Sequence, residues 1–207
     1  QDALRYTPSD CFETFPFPLC LNHAENDDQY TEDNNLLEKI GKKYSEFRSN
    51  LMQLDNQGLT EIYNRFHNPN EKSNDILDLR SLHKELDQAI FNAYGWGDLS
   101  LDYCFSLDYL DLDDDIQLPD SLKKQINSSE LFFQEIYDAI TFEKQVQEFL
   151  GNYKKLPWRY RLPESTREII LSRLLNLNND RYEEEIKLGL CINKKGKSKM
   201  RNIKSSS

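Results

Sequence analysis

In the stretch KKLPWRYRLPE, four cations, Lys154, Lys155, Arg159 and Arg161, surround the rings of Trp158 and Tyr160. Such interleaving can set guanidinium and ammonium groups on phosphates while the rings lie against sugars or bases. This connector is therefore the candidate contact with DNA or RNA. A plainer use stays open: the rings pack on a helical body and the charges keep the connector wet. Elsewhere the chemistry is sparser. Asp111, Asp113 and Asp115 imitate the start of a calcium loop, but its sixth position is Ile116 rather than Gly and its twelfth is Leu122 rather than Glu. The sharp turn and the closing bidentate ligand are both missing, so a solvated acidic loop is expected.

His23, His67 and His83 fall in separate segments with no H-x-x-x-H pair, and His83, beside an apolar stripe, reads as a half-buried, hydrogen-bonded histidine. Cys11, Cys20, Cys104 and Cys191 include no C-x-x-C pair and read as reduced thiols. Neither a glycine-rich phosphate loop nor G-x-S-x-G occurs. On the sequence alone, no catalytic, cofactor-binding or metal-binding residue is assigned to this chain.

The elements that would position these residues are mainly helical. Leu36, Leu37, Ile40, Tyr44, Phe47, Leu51 and Leu54 recur at steps of three and four, which predicts a helix from about Thr31 to Asp55 closed at Gln57-Gly58. Leu59, Ile62, Tyr63 and Phe66 predict a short second helix that stops before Pro69. A third starts at the capping residues Ser73-Asn74-Asp75, carries Ile76, Leu79, Leu82, Leu86, Ile90 and Ala93, and ends at Gly95. Asn127 and Glu130 stand in capping-box relation ahead of a fourth helix running from about Ser128 to Leu150. Pro163 opens a last helix to about Leu190 with a stripe of Ile169, Ile170, Leu174, Leu177 and Ile186. The expected fold is mainly α: an irregular bundle of about five helices with an extended N-terminal segment and a long acidic loop. Residues 1–30 form the aromatic, proline-rich segment and linker, 31–190 the helical domain with its acidic loop at 97–126 and room there for one short strand, and 191–207 a basic disordered tail.

The net charge of −10 conceals a division. Residues 152–207 hold 14 Lys and Arg against 6 Asp and Glu, whereas residues 1–151 hold 12 against 30. An acidic body repels phosphates over most of its surface and leaves only the basic end to approach a nucleic-acid backbone. No apolar run reaches membrane-spanning length and the first residues lack the order of a signal peptide, so a soluble, cytoplasmic protein is expected. Gln1 in place of a start methionine leads to the expectation of a longer parent chain.

Four stretches taken together carry a family resemblance: SDCFETFPFP (9–18), GLTEIYNRFHNPNE (58–71), DILDLRSLHKELDQAIFNAYGWGDL (75–99) and WRYRLPESTREIILSRLLNLNNDRYEEE (158–185). In order and spacing they resemble the C-terminal end of the type IIG and IIL restriction-modification DNA adenine methyltransferases, downstream of the target-recognition domain. Residues 100–157 are not matched. The resemblance implies a non-catalytic C-terminal helical domain that braces the target-recognition and catalytic domains of one polypeptide, with the basic connector reaching the DNA backbone. Its partners would be DNA, through the parent enzyme, and those two domains. S-adenosylmethionine is implied for the full-length enzyme and no cofactor for this chain. The N-P-P-Y/F motif of such catalytic domains is absent, Asn68-Pro69-Asn70 being a near miss, and Pro119-Asp120 lacks the acid and lysine of a PD-(D/E)-x-K nuclease. The alternative is a free-standing acidic interaction protein, whose aspartate-rich loop imitates DNA phosphates to occupy a nucleic-acid enzyme.

Overall fold

The computed structural model describes residues 15–19, 28–107, 118–127, 131–150 and 155–189. These form six helices and three short strands: α1 (Asp28–Leu54), α2 (Leu59–His67), α3 (Asn74–Ala93), β1 (Cys104–Leu107), α4 (Asp120–Asn127), β2 (Phe132–Phe133), α5 (Ile136–Leu150), β3 (Trp158–Arg161) and α6 (Glu164–Lys187). The mainly helical expectation holds. Among the described residues no helix is long and apolar enough to cross a membrane. The chain divides into two compact units, one of Gln1–Phe17 with Arg167–Ser207 and one of Pro18–Thr166.

In the larger unit the first three helices follow the apolar periodicity. Tyr44 and Leu51 of α1, Ile62 and Phe66 of α2, and Ile76, Leu79 and Leu82 of α3 close into one cluster. Ile62, Phe66, Ile76 and Leu79 are at most 1% exposed, and burying each such side chain is worth about 1.5–3 kcal/mol. Leu36 and Leu54, the ends of the predicted α1 stripe, are exposed. α1 is closed two residues before the expected glycine: Asn56 takes a positive φ of 49°, and the Gln57 N–H donates to the Met52 carbonyl at 3.0 Å. α3 ends likewise at Gly95, φ 72°, with the Trp96 N–H on the Phe91 carbonyl at 2.8 Å. Only a residue that tolerates the left-handed region closes a helix in this way.

Arg65 ties the start of this bundle together. Its guanidinium pairs with Asp55, with Glu71 at 3.1 Å and with Asp75 at 2.9 Å, and it donates to the Ser73 hydroxyl at 3.0 Å. Ser73 does stand at the N-cap of α3, but its side chain does not cap the helix. Hydrogen bonds from Ser73 and Arg65 hold the Glu71 carboxyl below its ordinary range. Burial pushes the Asp75 carboxyl up, yet bonds from the same two residues outweigh it and leave it lowered. Burial works against the charge on Arg65 as well, and the three carboxylates overcome it, raising its pKa. A carboxyl with a folded pKa below its unfolded value contributes stability that is present above about pH 4 and is lost as pH falls through the folded value. We therefore expect the urea midpoint to drop between pH 5 and pH 2.5, and to drop less in Arg65→Met. Parallel curves for the two proteins would count against the cluster as the source.

The second cluster forms around a sheet. The strands are antiparallel in the order β2-β1-β3, with Phe105 opposite Tyr160 and Phe133, and Ser106 opposite Arg159 and Phe132. Side chains alternate across a strand, so Phe105, Leu107, Phe133, Trp158 and Tyr160 share one face. That face packs with Leu118 and Leu122, and with Ala139, Phe142 and Val146 of α5. Two expectations are corrected here. Residues 120–126, assigned to the acidic loop, are helical in α4. The fourth predicted helix begins at Ile136 rather than Ser128, because Phe132–Phe133 pair with β1, and Asn127 closes α4 instead of capping α5. The one strand foreseen in the acidic loop is β1.

The smaller unit includes all of α6 after its first turn. Glu183, Glu184 and Glu185 are exposed as expected, but the predicted stripe does not bury: α6 has no buried residue, and Ile169 is 45% exposed. At the other end of the sequence the Phe15 and Phe17 rings meet edge-on at 4.8 Å, with Phe15 exposed. Phe12, Cys11, Cys20, Cys191, His23 and the tail lie outside the described residues.

Candidate functional site

The basic connector is a strand, and its alternation separates what the sequence interleaves. Trp158 is buried, its ring edge-on to Phe133 at 5.8 Å and to Phe142 at 6.4 Å. Tyr160 packs against both core clusters. The rings therefore serve the core, the plainer of the two uses, and are not available to stack on bases. Arg159 and Arg161 project from the opposite face beside Cys104 and Ser106, half-buried, and Arg159 Nη1 donates to the Trp158 carbonyl at 3.0 Å. Lys155 is exposed, and Lys154 lies outside the described residues. What remains for a phosphate backbone is a short run of cations without rings.

The other candidates resolve into fold contacts. His67 Nδ1 accepts the Tyr160 N–H at 3.0 Å. His83 is half-buried among the rings of Phe66 at 5.4 Å, Tyr44 at 5.7 Å and Tyr103 at 5.8 Å, its Nε2 lying 3.9 Å from Asp87. Its Nδ1 is buried without a hydrogen bond, so only the half-buried part of that expectation holds. Asn68-Pro69-Asn70 is a turn: Asn68 Oδ1 accepts the Asn70 N–H at 2.9 Å, Pro69 is buried, and the Asn70 amide donates to Glu143 of α5. A turn whose polar groups are spent internally does not fit a methyltransferase active site. The aspartates 111, 113 and 115 lie outside the described residues, and among those described no group of three His, Cys, Asp or Glu could hold a metal ion.

The residue the sequence reading missed is Arg80, only 4% exposed. Its Nε donates to the Phe66 carbonyl at 2.9 Å, and its Nη2 to the Asn68 carbonyl at 2.8 Å and the Arg65 carbonyl at 3.4 Å. These are acceptors at the C-terminal end of α2, where a cation also meets the negative end of the helix dipole. The guanidinium carbon lies 5.1 Å from the centre of the Phe105 ring and 5.2 Å from that of Tyr160, within the range of cation–π attraction. Burial pulls the Arg80 pKa down, the cost of holding a desolvated charge. A signal was available: Arg80 is four residues after Ile76 and so lies on the buried side of α3.

Arg80 also lines an open groove of about 430 Å³ beside α3. One turn on, Lys84 Nζ lies 5.5 Å from the Tyr103 ring centre and 5.9 Å from that of Tyr160. Those two rings stack at 5.0 Å, and the Tyr103 hydroxyl donates to the Asp87 carboxylate. Burial first, then the neighbouring Asp87 charge, pushes the Tyr103 pKa up, so this phenol stays protonated. No family model, curated protein or solved structure matches this chain.

Proposed function

We propose that the chain is the non-catalytic C-terminal helical module of a DNA adenine methyltransferase or restriction-modification polypeptide. In this role it braces the target-recognition and catalytic domains, and Lys155, Arg159 and Arg161 reach the DNA backbone. One observation carries the reading. Parts of three of the stretches that bear the resemblance meet in the larger unit: Arg65 to Asp75, Arg80 to Phe66 and Asn68, and His67 to Tyr160. Residues distant in sequence are spent on fixing one another, as a bracing module requires and as a reactive site does not. S-adenosylmethionine belongs to the parent enzyme, and no step of methyl transfer runs through this chain.

Fluorescence anisotropy with a duplex oligonucleotide over a salt series tests the contact. We expect weak, salt-dependent binding. Its log–log slope should become shallower by about 0.9 for each phosphate no longer neutralised when Lys155, Arg159 and Arg161 are changed to glutamine. An unchanged slope would remove these residues from the interface. Methyl transfer from S-adenosylmethionine to DNA by the purified chain would overturn the module reading itself.

A further inference from the structure

The groove beside α3 concentrates two positive charges in a chain whose net charge is −10. Neither Arg80 nor Lys84 forms an ion pair among the described residues. Arg80 Nη1 is buried without a hydrogen-bond partner. The acids nearby are committed or peripheral: Glu71 to Arg65, Asp87 to the Tyr103 hydroxyl, and Glu135 exposed on the lining. Two cations one helical turn apart, against low-dielectric ring faces, favour an anion beside them.

The remaining lining says what the anion should be attached to. Leu77 and Ile136 are each 41% exposed and Tyr137 is 77% exposed, an apolar and aromatic border next to the charged end. The volume suits one small molecule rather than several residues of extended peptide. We infer that this groove binds a phosphate-bearing ring compound, of which a nucleoside monophosphate is the simplest, with the phosphate at Lys84, in the field of the buried Arg80 behind it, and the ring against Tyr137, Ile136 and Leu77. A nucleotide within single-stranded nucleic acid presents the same chemistry. The inference draws nothing from the methyltransferase reading, and an active methyltransferase would leave it standing.

Isothermal titration of the purified chain with adenosine monophosphate, adenosine, inorganic phosphate and a short single-stranded oligonucleotide tests it. Adenosine monophosphate should bind, with adenosine and inorganic phosphate each at least about tenfold weaker, since each lacks one half of the contact. Lys84→Ala and Tyr137→Ala should each weaken binding about fivefold or more while leaving the urea midpoint near the wild-type value, because Lys84 is only partly buried and Tyr137 is exposed. Oligonucleotide binding that the same two variants weaken, without binding of the monophosphate, supports the site and assigns its ligand to a polymer. Silence from every probe, binding indifferent to Lys84→Ala, or inorganic phosphate binding as tightly as the nucleotide would each overturn the inference.

Discussion

Replacing Arg80 with alanine is expected to destabilise the larger unit by about 3–5 kcal/mol, making it one of the two costliest single changes proposed in the described chain. The cost has three parts. The Phe66 carbonyl loses its donor, and a polar group left unsatisfied in a buried place costs about 1–3 kcal/mol, while the Arg65 and Asn68 carbonyls lose one donor each and keep the N–H groups of Asn68 and Glu71. The ring faces of Phe105 and Tyr160 lose the cation that covers them. The methylene stem also leaves a void where side chains are close-packed. Burial lowers the Arg80 pKa, so the charge itself is held at a cost, and the loss on truncation comes from the groups that the guanidinium leaves behind. Urea unfolding followed by far-ultraviolet circular dichroism reads the effect. Arg80→Lys should recover only part of the loss, since an ammonium cannot reach the same carbonyls in a planar fork. If alanine and lysine variants unfold within about 0.5 kcal/mol of wild type, the cap is not what holds α2 to α3.

Neighbouring residues of β3 should respond in opposite ways. Trp158→Ala removes a buried indole from among Phe133, Phe142 and Val146, and should cost about 3–5 kcal/mol. Arg159→Ala, one residue on and facing the other way, should cost about 0.5 kcal/mol or less. Were the stretch a basic, aromatic loop presented to nucleic acid, the order would differ: both changes would be mild for stability and both would weaken DNA binding. The pair is therefore read twice, by urea midpoint and by anisotropy with duplex DNA. A strand predicts that Trp158→Ala moves the first and Arg159→Ala the second.

The same stretch shows why part of the fold was legible in the sequence and part was not. Helices α1, α2 and α3 announce themselves because the residues that decide them are local: a stripe at three and four in each, a left-handed stop after α1 and α3, and a proline after α2. The sheet depends on partners far apart. Cys104 meets Arg161 and Phe105 meets Phe133, and strands of two and four residues carry too little alternation to stand out from the surrounding aspartates and lysines. W-R-Y-R has period two, the signature of a strand with one buried face, yet the same letters spell a nucleic-acid contact. Asn127 and Glu130 make a sound local cap, and the sheet overrides it by drawing Phe132 and Phe133 out of helix. Arg80 was hidden by its type rather than its place. A charged side chain is seldom wholly buried unless partnered, and its partners are backbone carbonyls that no pattern of side chains records.

The His67 bond to Tyr160 bears on how this protein keeps company with copies of itself. A strand at the margin of a sheet leaves its outward N–H and C=O groups as a template for any passing chain, and β3 forms one such margin. The Tyr160 N–H is already taken, by an imidazole nitrogen at the end of α2 rather than by another backbone. A side chain stands where a fourth strand would otherwise begin. Among the described residues the opposite margin, β2, offers only Phe132 and Phe133, too short a run to hold an incoming strand in register. The sheet is thus stopped on one side by a ring and on the other by brevity, which lets a chain with buried aromatic strands avoid adding to itself edge by edge.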